Sequence, residues 1–127
     1  MAFVCPECMT PGSLRITHSM ELPSDSRSDE IAVQIVRCSQ CKFRGVAIYE
    51  ESRRGALDSE SVDHRGYKVK AADLESLIRK IKACPNPKNA RCQCRSHRSL
   101  GRKDSWGRWQ GLADIEFQDT FPMDLTL

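Results

Sequence analysis

Apolar and polar positions alternate in three stretches of the first fifty residues. In 13–22, Leu14, Ile16, His18 and Met20 occupy every second position. In 30–37, Ile31, Val33, Ile35 and Val36 make a β-branched apolar run, and in 43–49 the apolar residues are Phe43, Val46 and Ile48. This pattern predicts three strands. The polar run Pro23-Ser24-Asp25-Ser26-Arg27-Ser28-Asp29 separates the first two as a loop. From residue 70 the period changes. Leu74, Leu77, Ile78 and Ile81 fall at i, i+3, i+4 and i+7, which predicts a helix over 70–83 with one apolar stripe. Asp73 and Glu75 stand near its start and Arg79, Lys80 and Lys82 near its end, as the helix dipole favours. Pro85 stops it. A short run at 112–117 predicts a last strand. Between strands and helix, residues 50–66 show no period and are dense in carboxylates, so they are expected to form a connecting loop.

Composition adds a constraint. Only 6% of the 127 residues are aromatic, too few for a large aromatic core, so something besides apolar burial is expected to hold the fold. The start Met1-Ala2-Phe3-Val4-Cys5 has neither the basic start nor the apolar run of a signal peptide. The apolar stretches at 31–36 and 46–49 are too short to span a bilayer. A cytoplasmic, reducing location follows as the expectation. There seven cysteines read as metal ligands before they read as disulfides.

Four of them form two pairs of one spacing, Cys5-Pro6-Glu7-Cys8 and Cys38-Ser39-Gln40-Cys41. Two intervening residues let a tight turn aim both sulfurs at one point while turn amides hydrogen-bond the thiolates. Two such knuckles complete a tetrahedral four-sulfur site that is closed to water and therefore structural. Iron would also fit four thiolates, and a CxxC pair can be a redox motif, but redox chemistry needs no second matching pair. The order knuckle, strand, loop, strand, knuckle, strand resembles the zinc-ribbon superfamily, whose members serve in transcription factors, ribosomal proteins, topoisomerases and polymerase subunits. The resemblance covers residues 1–50. It implies zinc on Cys5, Cys8, Cys38 and Cys41, and says little of function, because ribbons bind DNA, RNA or protein or brace a larger machine.

The remaining cysteines lie together in Cys84-Pro85-Asn86-Pro87-Lys88-Asn89-Ala90-Arg91-Cys92-Gln93-Cys94-Arg95-Ser96-His97. A site of Cys84, Cys92, Cys94 and His97 would use every remaining cysteine, with two prolines stiffening the longer arm. His18 or His64 could stand in for His97. Two zinc ions per chain are therefore expected.

Charge is unevenly placed. Residues 1–78 carry 10 Lys/Arg and 12 Asp/Glu, and residues 79–109 carry 10 Lys/Arg against Asp104 alone. Residues 110–127 hold four acids and no Lys or Arg. The basic segment includes Arg91, Arg95, Arg98, Arg102, Lys103 and Arg108, with Trp106 and Trp109 among them. Arginine on phosphate and tryptophan on unpaired bases would make this a nucleic-acid surface. Against that, the tryptophans could cover the second zinc lobe, and the acidic tail could fold back over the cations.

The expected architecture is a small zinc-stabilised α+β protein: a three-stranded antiparallel zinc ribbon over 1–50, an acidic connecting loop over 51–69, then one amphipathic helix, a second zinc-bound loop, the basic segment and an acidic tail over 70–127. The expected function is a nucleic-acid-binding module, with Arg91, Arg95, Arg98, Arg102, Lys103, Trp106 and Arg108 as its contacts. The alternative is an adaptor within a larger protein assembly. A third possibility is a metal-dependent hydrolase that uses the 50–64 carboxylates and His64. No membrane partner and no organic cofactor are expected.

Overall fold

In a computed structural model, which describes residues 2–53 and 61–124, the chain runs β1 (Ala2–Phe3), β2 (Leu14–Leu22), β3 (Glu30–Cys38), β4 (Arg44–Ser52), β5 (Ser61–Val69), α1 (Ala71–Ala83), α2 (Arg95–Leu100) and β6 (Phe117–Pro122). The strands form one antiparallel sheet in chain order, β1 through β6, curled into a half-barrel. This corrects the expected three-stranded ribbon with one helix. The three expected strands fall on β2, β3 and β4, but they belong to a larger sheet that also takes in β1, β5 and β6.

The largest correction falls on the connecting loop. Residues 61–69 are a strand that pairs with β4 from Val46↔Tyr67 to Ser52↔Ser61. Their sequence conceals this because only Gly66 is buried among the nine residues, so no apolar alternation marks the strand. The rest of the carboxylate-rich stretch, 54–60, lies outside the described residues. The C-terminal strand is displaced too. Leu112 and Ile115 close a turn (Ile115 N–H to Leu112 O, 3.1 Å), and β6 begins only at Phe117. The second helix, α2, follows Cys94, whose sulfur accepts the His97 amide at the helix start.

Alternation in the central strands feeds two cores. Ile31, Val33 and Ile35 of β3 and Val46 and Ile48 of β4 face one side, where Leu74, Leu77, Ile78 and Ile81 of α1 cover them. Each of those helix residues is at most 9% exposed, worth ~1.5–3 kcal/mol apiece on burial. The opposite positions, Val36, Cys38 and Ala47, pack with Phe3, Leu14, Phe121 and Met123. That second cluster joins the first strand to the last. The Val4 amide also donates to Asp124 O (3.1 Å), holding the curl. Gly66 belongs to this arrangement: its strand partner Phe121 lays its ring where a Cβ on residue 66 would stand. Beyond Arg15, no strand among the described residues lies on the outer side of β2; there Glu21 donates its amide to Pro87 O at 2.7 Å. Among the described residues, no helix is long and apolar enough to cross a membrane.

Candidate metal centres and basic surface

The first centre sits where the β1–β2 connection meets the β3–β4 turn. Cys38 is the last residue of β3, placed opposite Leu14 of β2, and Cys5 is wholly buried just beyond β1. The two knuckles interlock, with Cys5 Sγ 3.7 Å from Cys41 Sγ and Cys8 Sγ 3.7 Å from Cys38 Sγ. A tetrahedral ion with metal–sulfur bonds near 2.3 Å would hold its sulfurs about 3.8 Å apart. The spacing fits. Turn amides point at the sulfurs, Glu7 N–H at Cys5 (3.4 Å) and both Gln40 and Cys41 N–H at Cys38 (3.3 Å each). Burial pushes the Cys38 thiol up, but the Ser13 hydroxyl and these two amides outweigh it and hold the thiol at about 6. After Cys8 the chain reverses through Met9, which is left-handed (φ 59°) and returns its amide to Cys5 O at 3.0 Å.

The second centre is built by the ends of both helices. Cys84 caps the C-terminus of α1, and its sulfur accepts the Asn86 amide (3.4 Å), as Cys5 accepts that of Glu7. Cys84 Sγ lies 3.7 Å from Cys92 Sγ and 3.0 Å from His97 Nδ1, and Cys94 Sγ lies 3.4 Å from the same nitrogen. His97 is 2% exposed, and its Nε2 donates to Glu21 O at 3.0 Å. With the proton committed to that carbonyl, the Nδ1 lone pair faces the three sulfurs. Such outer hydrogen bonds orient metal-binding histidines. The His97 amide is the largest of the influences that bring the Cys94 thiol down to about 6, whereas burial drives Cys84 up to about 11.

Each group's four ligand atoms lie within 4.8 Å of one another, and either group could hold a metal ion; among the described residues there is no third such group. Cys5, Cys8, Cys38 and Cys41 are thus brought together, and so are Cys84, Cys92, Cys94 and His97. His18 and His64 are in neither group. His64 stands on β5, where Nε2 donates to Gln34 Oε1 at 2.7 Å. The outer residues Ser13 and Glu21 had no signal in the sequence. One contributes a hydroxyl common to any serine, the other a backbone carbonyl brought in by the fold.

The fold separates the two tryptophans. Trp109 packs against the α1-side core and donates Nε1–H to Leu100 O (2.7 Å) and its amide to Asp25 Oδ2 (2.7 Å). Trp106 is 84% exposed. It sits at the tip of a hairpin over 102–110, closed by the Lys103↔Trp109 bridge and by Asp104, whose Oδ1 accepts the amides of Trp106 (2.8 Å) and Arg108 (3.1 Å). Gly107, at φ 76°, passes beside Ser26, whose amide its carbonyl accepts at 2.9 Å. The ring is therefore held out on a braced turn.

Arg91, Arg95, Arg98, Arg102, Lys103 and Arg108 are all exposed. Among the described residues, no Lys or Arg of 79–108 has a carboxylate within 4.0 Å; the ion pairs lie elsewhere, as in Arg44–Glu75, Lys68–Glu7 and Lys70–Glu116. The tail's Glu116 is engaged by Lys70, and Asp119 lies on β6 opposite Lys68 at the far edge of the sheet. No family model matches this chain, and no curated protein or solved structure is found to be similar to it.

Proposed function

We propose that this protein is a zinc-stabilised module that binds single-stranded nucleic acid, with both metal centres structural. The zinc assignment is supported by two closed ligand sets of four, rich in thiolate, in which every protein ligand position is filled and every sulfur set is served by amide donors. A set of four protein ligands leaves no open position for substrate.

The observation that carries the nucleic-acid reading is the pairing of Trp106 with its surroundings. A tryptophan 84% exposed on a hairpin braced by the Asp104 carboxylate stands beside Arg102, Lys103 and Arg108, whose side-chain nitrogens have no carboxylate within 4.0 Å among the described residues. Guanidinium groups pair with phosphates in bidentate fashion, and an indole face stacks on a base only where that base is unpaired.

The test is titration of the zinc-loaded protein with single- and double-stranded DNA and RNA across a range of salt. Single strands are expected to bind more tightly, with Trp fluorescence quenched on binding. Changing Arg95, Arg98 and Arg102 to Ala is expected to flatten the dependence of log K on log salt by about 2. Trp106→Ala is expected to weaken binding by about tenfold or more. No binding at low salt would reject the reading and leave the adaptor alternative.

A further inference from the structure

The outer side of β2 is paired at one end and covered at the other, and the stretch between is open. β1 lies along it as far as Arg15, and the loop of the second centre takes the amide and carbonyl of Glu21. Residues 16–20, about 17 Å of extended chain, have no strand beside them on that side among the described residues. Strand register decides which backbone groups face outward there. In an antiparallel ladder both groups of a residue point to one side, and the side alternates along the strand. Glu21, opposite Ala32, turns its N–H and C=O outward, so Ser19, opposite Gln34 in the same register, does the same. No hydrogen bond among the described residues meets the Ser19 amide or carbonyl.

A groove of about 360 Å³ runs along this stretch. Ile16, Thr17, His18 and Ser19 form one wall. Lys82 at the end of α1, with Pro87 and Lys88 of the metal loop, forms the other, over buried Ile81 and Cys84. Both walls are set before any guest arrives. The bulge at Thr17 is closed by its hydroxyl, which donates to Ile35 O at 3.3 Å, and the metal loop is held by the Glu21 amide on Pro87 O at 2.7 Å. Among the described residues no carboxylate lines the groove. Lys82 and Lys88 are exposed, and neither has a carboxylate within 4.0 Å among the described residues. Burial raises the carboxyl of Glu21, at the end of the groove, and Lys88 acts on it in the opposite sense from beyond ion-pair distance.

We propose that this groove docks an acidic, extended peptide segment of another protein, which adds to the sheet as a strand beside β2. Main-chain hydrogen bonds to Ser19 set its register, and Lys82 and Lys88 select for carboxylates. The open stretch accommodates about five residues. A second copy of this chain fits poorly. Pairing two β2 strands side by side would bring both pairs of lysines together, and the bulge between Ile16 and His18 bends the strand away from a long, flat partner. The basic hairpin is anchored on Asp25 and Ser26, past the other end of β2, so this site stands whether or not the protein binds nucleic acid.

The test uses the full-length zinc-loaded chain and two blocked hexapeptides, one alternating valine with aspartate and the other valine with lysine. The aspartate peptide should give saturable NMR shifts at residues 16–19, 82 and 88, and should slow deuterium exchange of the Ser19 amide as it saturates. The lysine peptide should bind at least several-fold more weakly. Ser19→Pro removes the outward N–H without taking a bond from β3, and should weaken the aspartate peptide several-fold. Lys82→Glu combined with Lys88→Glu should reverse the preference between the peptides. Metal content and thermal midpoint confirm that each variant is folded, and the lysine pair decides alone if the proline variant fails that check. Equal affinity for the two peptides, or shifts that spare residues 16–19, would overturn the proposal. So would an oligomer of the free protein that Ser19→Pro dissociates, since the edge would then belong to a second copy.

Discussion

Met9 follows the first knuckle in a left-handed backbone conformation, and its side chain is 65% exposed. A side chain at such a φ strains the backbone by ~1–2 kcal/mol, a strain glycine lacks, although glycine also gains freedom in the unfolded chain. Met9→Gly is therefore expected to leave metal binding intact and to stabilise the protein by up to about 1 kcal/mol. Denaturant midpoints of the zinc-loaded proteins would check this, and a clear loss would mean that the thioether contributes packing. At the same scale, the cysteines were legible because their spacing is itself chemistry. The different fates of Trp106 and Trp109 were not. Leu100 O takes the Trp109 indole N–H, and Asp25, far away in the chain, takes its amide, contacts that the sequence does not announce.

Among the elements, those with a single buried face could be read from the chain. The stripe of α1 and the alternation of β2 record one-sided burial, whereas β3, buried on both faces, shows as a continuous apolar run. Strand β5 shows neither, since most of its positions on both faces remain partly open and its one buried residue is a glycine. That glycine offers a direct check of the β5–β6 pairing. Gly66→Ala drives a methyl into the Phe121 ring, so either the ring or the strand must shift. A loss of ~1–3 kcal/mol is expected, as for overpacking elsewhere. It would appear as a lower thermal midpoint with both metals retained. An unchanged midpoint would show that Phe121 does not hold the last strand in place.

For the molecule as a whole, the two metal centres lie at opposite ends of β2, near Leu14 and Glu21, separated by about 23 Å of extended chain. Neither could have been placed relative to the other from sequence, because the curl depends on contacts such as Val4 with Asp124. A structural zinc contributes ~10–16 kcal/mol to folding, comparable to the whole apolar stripe of α1. Two zinc ions per chain are expected by elemental analysis, with loss of cooperative unfolding on chelation. One ion per chain would exclude one of the centres. Acid should have the same effect as chelation. Cys38 and Cys94 are held at about 6, below the ordinary thiol value of 9.0, so their thiolates are present at neutral pH and are lost as pH falls through that point. Zinc release, followed with a chromogenic chelator, should have its midpoint at or below about pH 6.

The residues around Glu21 give the second centre a further consequence. Its loop occupies both backbone groups of Glu21, the amide through Pro87 and the carbonyl through His97, on the side of β2 that no strand among the described residues covers. An uncovered strand edge is a template for pairing with another chain. The loop thus covers this stretch of the edge, and a zinc ion bound there as proposed would hold the cover in place. Under zinc starvation the first failure should be edge-to-edge aggregation, before the rest of the sheet comes apart.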